Sequence, residues 1–270
     1  MSRIQDKFRK LRANKQKALI SYIVAGYPNE QGTISSVRGL VKGGTDIIEL
    51  GLPFSDPLAD GPVIQNASFE ALKKGMSFNK FIKIVRRIRK ETDIPLVLMT
   101  YSNLLYHRGY NKFLSAIKDA GIDGLILPDM AIDEAKEFLL EARKNNLDTI
   151  FLISPNTLPE RIKKIADASS GFLYLVSVFG TTGVQRKFED YTLHAIKAAK
   201  NIVSGKIPLA VGFGVSSPEQ VKFIIQNGAD AIIVGSAFLR LIEKTPQPKI
   251  EEKIRSFASD LKKATIYNKK

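Results

Sequence analysis

The chain has 270 residues, 44% of them apolar, which is enough to bury a large core in one or two domains. It contains no cysteine, which excludes disulfides, thiolate-bound metals and cysteine nucleophiles and fits a reducing cytoplasm. The formal charge of +14 invites a nucleic-acid reading, but the basic runs RKLRANKQK (9–17) and KIVRRIRK (83–90) lie in helical stretches and carry no recognition motif; solvated helix faces are expected instead, with no nucleic-acid partner.

The N-terminal segment has a basic start but no apolar h-region or small-residue cleavage site, and residues 2–14 read as an extra helix. No apolar run approaches the ~20 residues of a membrane span. Eight short apolar runs then follow. They are ALISYIVAG (18–26), DIIELGLP (46–53), PLVLMTY (95–101), GLILPD (124–129), DTIFLIS (148–154), FLYLVSV (172–178), PLAVGFG (208–214) and AIIVGSA (231–237). Stretches with helical apolar spacing separate them, such as AIDEAKEFLLEARKNN (131–146) and SPEQVKFIIQNG (217–228). In the latter, Ser217, Pro218 and Glu219 form an N-cap, N1 proline and early acid.

Nearly continuously apolar strands that alternate with amphipathic helices predict a parallel sheet covered by helices. Eight such units in this length predict a (β/α)8 TIM barrel, one domain over residues 1–270; a doubly wound open sheet is the alternative. Most strand starts lie 23–29 residues apart, but Asp46 to Pro95 spans 49 and Phe172 to Pro208 spans 36. The extra length predicts long loops after strands 2 and 6, at the end of a barrel where active sites are built.

Glycines follow the last three predicted strands, in GTTG (180–183), GFG (212–214) and GS (235–236). Three consecutive stretches of this kind suggest a backbone cradle for a phosphate; tight turns that need glycine for geometry alone are the plainer explanation. Strand alternation places Ile47, Glu49 and Gly51 on one face, so an inward Ile47 carries Glu49 inward with it. No predicted strand holds a lysine or arginine to pair with it. A carboxyl group so placed has a raised pKa and can move a proton near neutrality; the bland alternative is a glutamate held by the hydroxyls of Tyr22 or Tyr174. A Schiff-base aldolase lacks its strand lysine here, and the only histidines, His107 and His194, stand at no strand end. Acid–base chemistry on a small phosphorylated substrate remains, with no metal site expected. A sugar-phosphate isomerase would share the glycines but has no need of PFSDPLADGP.

ELGLPFSDPLADGP (49–62) resembles the signature of the tryptophan synthase alpha subunit family almost position for position. The likeness continues through AGYP (25–28), YSN (101–103), LPD (127–129), Ser177 with GTTG (180–183), GFGVSSPEQ (212–220) and GS (235–236). It implies reversible retro-aldol cleavage of indole-3-glycerol phosphate to indole and glyceraldehyde 3-phosphate. By position, Glu49 is then the acid–base residue and Asp60 the carboxylate that meets the indole N–H. The resemblance further implies substrate contacts from Tyr22, Tyr101, Tyr174, Thr182 and Phe213, and a phosphate held at Gly183, Gly214, Gly235 and Ser236. It implies no cofactor in this chain. Pyridoxal phosphate would reside in a partner beta subunit, which receives indole in an alpha2–beta2 heterotetramer and faces Asp56 and the stretch Asn103–Arg108. The long second and sixth loops are expected to order when ligand and partner are both present. Phe179 departs from many relatives, and Ala131-Ile132 replaces a proline-containing turn found in some; both bear on loop closure and partner contact.

Overall fold

The computed structural model of the chain describes residues 1–176, 185–212 and 214–266, and the side chains of all of these except 185–190. Eight parallel strands run in chain order: β1 (Ala18–Val24), β2 (Ile47–Gly51), β3 (Leu96–Met99), β4 (Gly124–Ile126), β5 (Asp148–Ile150, resuming at Leu152–Ile153), β6 (Leu173–Val176), β7 (Leu209–Gly212) and β8 (Ala231–Val234). Each pairs with its successor, and β1 pairs with β8. The first piece of β5 pairs with β4 and the second with β6. The ring therefore closes through one strand, broken at Phe151, and the open-sheet alternative is excluded.

Alternation along the strands sorts the apolar residues into two layers. Ile20, Ile47, Val97, Ile126, Ile150, Ala210, Ala231 and Ile233 fill the barrel interior. Leu19, Ile48, Leu50, Leu98, Leu125 and Val211 belong to the outer layer, beneath the helices. Helix α1 (Arg3–Ala13) is the predicted extra helix. Ser2 and Gln5 form a capping box at its start, and its buried Ile4, Phe8 and Leu11 join the interior cluster.

The outer layer comprises α2 (Glu30–Lys42), α3 (Pro62–Lys73), α4 (Phe78–Arg89), α5 (Ser102–Arg108), α6 (Tyr110–Ala120), α7 (Lys136–Lys144), α8 (Pro159–Ala168), α9 (Gln185–Val203), α10 (Pro218–Gln226), α11 (Ser236–Glu243) and α12 (Ile250–Ala264). The long second interval is thus a loop over 52–61 followed by two helices, and the long sixth interval includes the 19-residue α9. Strand spacing cannot tell an extended loop from a shorter loop plus added helix. Helix α7 is shorter than the pattern over 131–146 suggested, because residues 132–134 form a turn. The cap at α10 is as expected: the Ser217 side chain accepts from the Gln220 N–H.

Aspartates fasten the end opposite the loops described below. Asp46, Asp123 and Asp230 each stand one residue before a strand and accept a backbone N–H at or next to the start of the neighbouring strand, from Leu19, Leu96 and Leu209 at 2.9, 2.9 and 3.0 Å. Each also binds a cation: Lys262 on Asp46, Arg89 on Asp123, Lys17 and Lys200 on Asp230. A buried carboxylate satisfied in this way pins strand register without entering the chemistry at the other end.

Candidate active site

Glu49 sits near the C-terminal end of β2, in register with Tyr22 of β1 and Val97 of β3. Its neighbours two positions either way fix its direction. Ile47 lies in the interior cluster, and a Cβ placed on Gly51 would come within 2.4 Å of the Tyr22 hydroxyl. Glycine at 51 therefore gives the Tyr22 ring its space beside Glu49. Gly212 does the same for Tyr174, whose hydroxyl would lie 2.7 Å from a Cβ at that position. That packing accounts for Gly212, which the sequence pattern had grouped with a phosphate loop. Gly214 has φ +67°, a conformation that L side chains rarely adopt.

Glu49 is 1% exposed, and its Oε2 has no hydrogen-bond partner among the described residues. A merely structural glutamate, satisfied by tyrosine hydroxyls, would not leave that oxygen orphaned. Burial, reinforced by the negative charge of Asp60, pushes the Glu49 carboxyl up to about 8. The same burial holds the phenols of Tyr22 and Tyr174 well above their ordinary range, so both stay neutral.

Asp60 ends the loop that follows β2, and Tyr101 holds that loop in place. The Tyr101 hydroxyl donates to Asp60 Oδ2 at 3.0 Å and accepts the Ala59 N–H at 3.1 Å. Its ring stacks on Phe54 with centroids 5.1 Å apart. Gln65 Nε2 donates to the Asp60 carbonyl at 2.8 Å, tying the loop to the first turn of α3. Burial raises the Asp60 carboxyl to about 6, while the Tyr101 hydrogen bond holds it down. Near neutrality the two carboxyls therefore differ: Glu49 keeps its proton and Asp60 is ionised. Environments that separate two carboxyl groups in this manner assign one as acid and the other as charge.

Both carboxyls open onto a cavity of about 790 Å³. Tyr22, Tyr174, Gly214, Gly235 and Ser236 line it, together with the apolar side chains of Met99, Ile126 and Ile233. Tyr101 is not among the residues that line the cavity; its hydroxyl reaches the site through Asp60. Thr182, Gly183, Phe213 and Phe179 lie outside the described residues. Ala131 and Ile132 line the cavity. Asp56, Asn103 and Arg108 are exposed on the loop after β2 and on α5, where Leu58 and Tyr106 are also 90% and 78% exposed. Arg108 stands 4.5 Å over the ring of Phe78.

Three further features had little or no local sign in the sequence. Arg161 and Arg240 line the cavity, and Arg161 is bound to Asp133 at 2.9 Å. Asp129 binds the start of α5, accepting the Ser102 N–H at 2.9 Å and its hydroxyl at 2.6 Å. An arginine at helical spacing reads as a solvated face until the helix is placed against the pocket, so only LPD (127–129) carried any sign of these contacts.

Comparison with known proteins identifies the family. The sequence model of the family described as "Tryptophan synthase alpha chain" matches residues 8–266. The tryptophan synthase alpha chain of Methanosarcina acetivorans is 43% identical over 264 residues, 98% of this chain and 94% of the relative. That of a Thermoanaerobacter species is 44% identical over 263 residues, covering 97% and 99%. Among solved structures, Mycobacterium tuberculosis tryptophan synthase superposes with a TM-score of 0.89 at 34% identity, covering 99% of each chain. A chain of the tryptophan synthase complex from Pyrococcus furiosus gives 0.82 at 37% identity, covering 91% of this chain and 98% of that one. With a family match over nearly its whole length and an eight-stranded barrel that presents Glu49 and Asp60 to one cavity, the chain belongs to the tryptophan synthase alpha chain family.

Proposed function

We propose that Glu49 and Asp60 divide the proton and charge work of the alpha reaction of tryptophan synthase. The chain is a carbon–carbon lyase of tryptophan biosynthesis that cleaves indole-3-glycerol phosphate to indole and glyceraldehyde 3-phosphate. The observation that carries the division of roles is the buried Oε2 of Glu49, unpartnered among the described residues, beside an Asp60 fixed by Tyr101.

Protonated Glu49 gives its proton to C3 of the indole ring, and the ring becomes cationic. Asp60, ionised, accepts the indole N–H and stabilises that charge, an interaction stronger in the transition state than in the ground state. Glu49, now a carboxylate, takes the proton of the side-chain hydroxyl adjacent to the ring. The oxygen electrons form the aldehyde carbonyl, the carbon–carbon bond breaks, and its electrons return to the ring as indole. Glu49 ends the cycle protonated, as it began. The apolar wall of Met99, Ile126 and Ile233 suits the indole, and the backbone at Gly214, Gly235 and Ser236 suits the phosphate.

A beta subunit is the partner of this family. We assign the contact with it to Asp56, Asn103 and Arg108, supported by the exposure of Leu58 and Tyr106 on the same loop and helix, in an alpha2–beta2 assembly. Pyridoxal phosphate belongs to that partner, and acid–base chemistry in this chain needs none. We place the chain in the cytoplasm as one domain over residues 1–270; no helix among the described residues is long and apolar enough to cross a membrane. The test is to supply indole-3-glycerol phosphate to the purified chain and follow indole, with and without a beta subunit. Indole release that rises with the partner supports this account. Equal rates alone and in mixture would make the chain a stand-alone lyase, and no indole in either case would remove the assigned chemistry.

A further inference from the structure

Among the described residues two arginines line the cavity, and they differ in how their charge is used. Arg161 of α8 is already bound to Asp133 at 2.9 Å. Arg240 of α11 is exposed to solvent and pairs with no acid among the described residues. We propose that Arg240 is a phosphate-recognising residue, clamping the phosphate of indole-3-glycerol phosphate and of glyceraldehyde 3-phosphate against the N-terminus of α11. The inference rests on the assignment of the phosphate to Gly235 and Ser236.

The geometry of α11 supports it. The helix begins at Ser236 with Gly235 as its N-cap, and no side chain caps that end. Arg240 follows Ser236 by four residues and therefore shares its face. Helical side chains lean towards the N-terminus, so a long side chain at this position reaches back over the first turn. Gly214, Gly235, Ser236 and Arg240 all line the same cavity.

Charge explains what the arginine adds. A helix N-terminus offers about half an elementary charge, against a phosphate that carries nearly two. Asp60, ionised in the same cavity, opposes a second anion. A guanidinium supplies a full charge and a fork of donors that fits two phosphate oxygens at once. It distinguishes a phosphorylated substrate from the same molecule without phosphate, which is a matter of binding and not of proton transfer.

The test compares Arg240→Gln and Arg240→Lys with the parent chain, using indole-3-glycerol phosphate, glyceraldehyde 3-phosphate and unphosphorylated indole-3-glycerol as probes. In Arg240→Gln the KM for the phosphorylated substrate and the Kd for glyceraldehyde 3-phosphate rise about tenfold, the expected loss of one charge-assisted contact. The kcat changes less than about twofold, affinity for the unphosphorylated probe holds, and Arg240→Lys recovers part of the loss. The salt dependence of phosphate binding weakens in parallel. Gly235→Asp separates the inference from its basis. If Gly235→Asp, shown to be folded by circular dichroism, weakens glyceraldehyde 3-phosphate binding while Arg240→Gln leaves it unchanged, Arg240 has no such role. If neither substitution changes that affinity, the phosphate lies elsewhere and both assignments fall.

Discussion

The separated carboxyls make a prediction about pH that can be worked from the structure. The productive form has Asp60 ionised and Glu49 protonated, with pKa values of about 6 and about 8. Below the first, Asp60 gains a proton and loses the charge that stabilises the ring. Above the second, Glu49 loses the proton it must donate. Ordinary titration then gives the productive form roughly four-fifths of the population at pH 7 and roughly a tenth at pH 5 and at pH 9. The profile of kcat/KM for indole release, measured at constant ionic strength from pH 4.5 to 9.5, should be a bell centred near neutrality. Tyr101→Phe sharpens the test. Its hydroxyl lowers the Asp60 pKa, so losing it should move the acid limb to higher pH and leave the basic limb in place. A profile flat from pH 5 to 9, or limbs both near the ordinary carboxyl range, would refute the reasoning.

Other consequences follow from the same contacts. Glu49 keeps its proton in the folded chain to about 8, against 4.5 for the free side chain, so the fold binds more protons than the unfolded chain between those values and loses stability as pH rises through them. The full span corresponds to on the order of 4–5 kcal/mol; Glu49→Gln, which cannot ionise, should gain Tm over the parent chain by more at pH 8 than at pH 5 in calorimetry. Asp60→Asn should cut indole release severely and lower the Glu49 pKa, because the charge that helps raise it is gone; carbon-13 spectra of labelled glutamate report that shift directly, and an unmoved resonance counts against the coupling. Gly212→Ala should depress activity far more than stability, since its methyl would strike Tyr174 at 2.7 Å in the cavity wall; unchanged kcat would dismiss that packing argument. Asp123→Ala should cost about 3–5 kcal/mol in urea unfolding, because Arg89 is left half of a broken buried pair, while the folded fraction keeps its activity; a loss of activity per folded molecule would contradict the division between the two barrel ends.

Most of the architecture could be read from the chain because its signals are local. Apolar runs such as AIIV and the alternation around Glu49 follow from pleated geometry, and Ser217-Pro218-Glu219 announced α10 by its own capping chemistry. The distance between Asp46 and Pro95 was legible only as extra length, since α3 and α4 between them depend on packing that a count does not register. The break at Phe151 is likewise marked by no turn residue; the two pieces of the strand on either side of it pair with different neighbours. Glu49 and Asp60 stood out because carboxylates are expensive beside an apolar strand. Tyr101 did not reveal its role, for its hydroxyl works across 41 positions on Asp60 and shows no local pattern. Arg240 was hidden for the same reason: its spacing from Ser236 becomes informative only once α11 is laid along the cavity.

The central claim is that Glu49 moves the proton, and one comparison tests it most directly. Indole formation from indole-3-glycerol phosphate should be measured for Glu49→Gln and the parent chain, alongside the affinity of each for the substrate. The side chain keeps its shape and loses only its ability to exchange a proton. The account predicts a fall in kcat of ~10²–10⁴-fold, the usual contribution of a general acid–base group, with affinity changed by no more than a few-fold. A fall of less than tenfold, or a loss carried mainly by weaker binding, would contradict it.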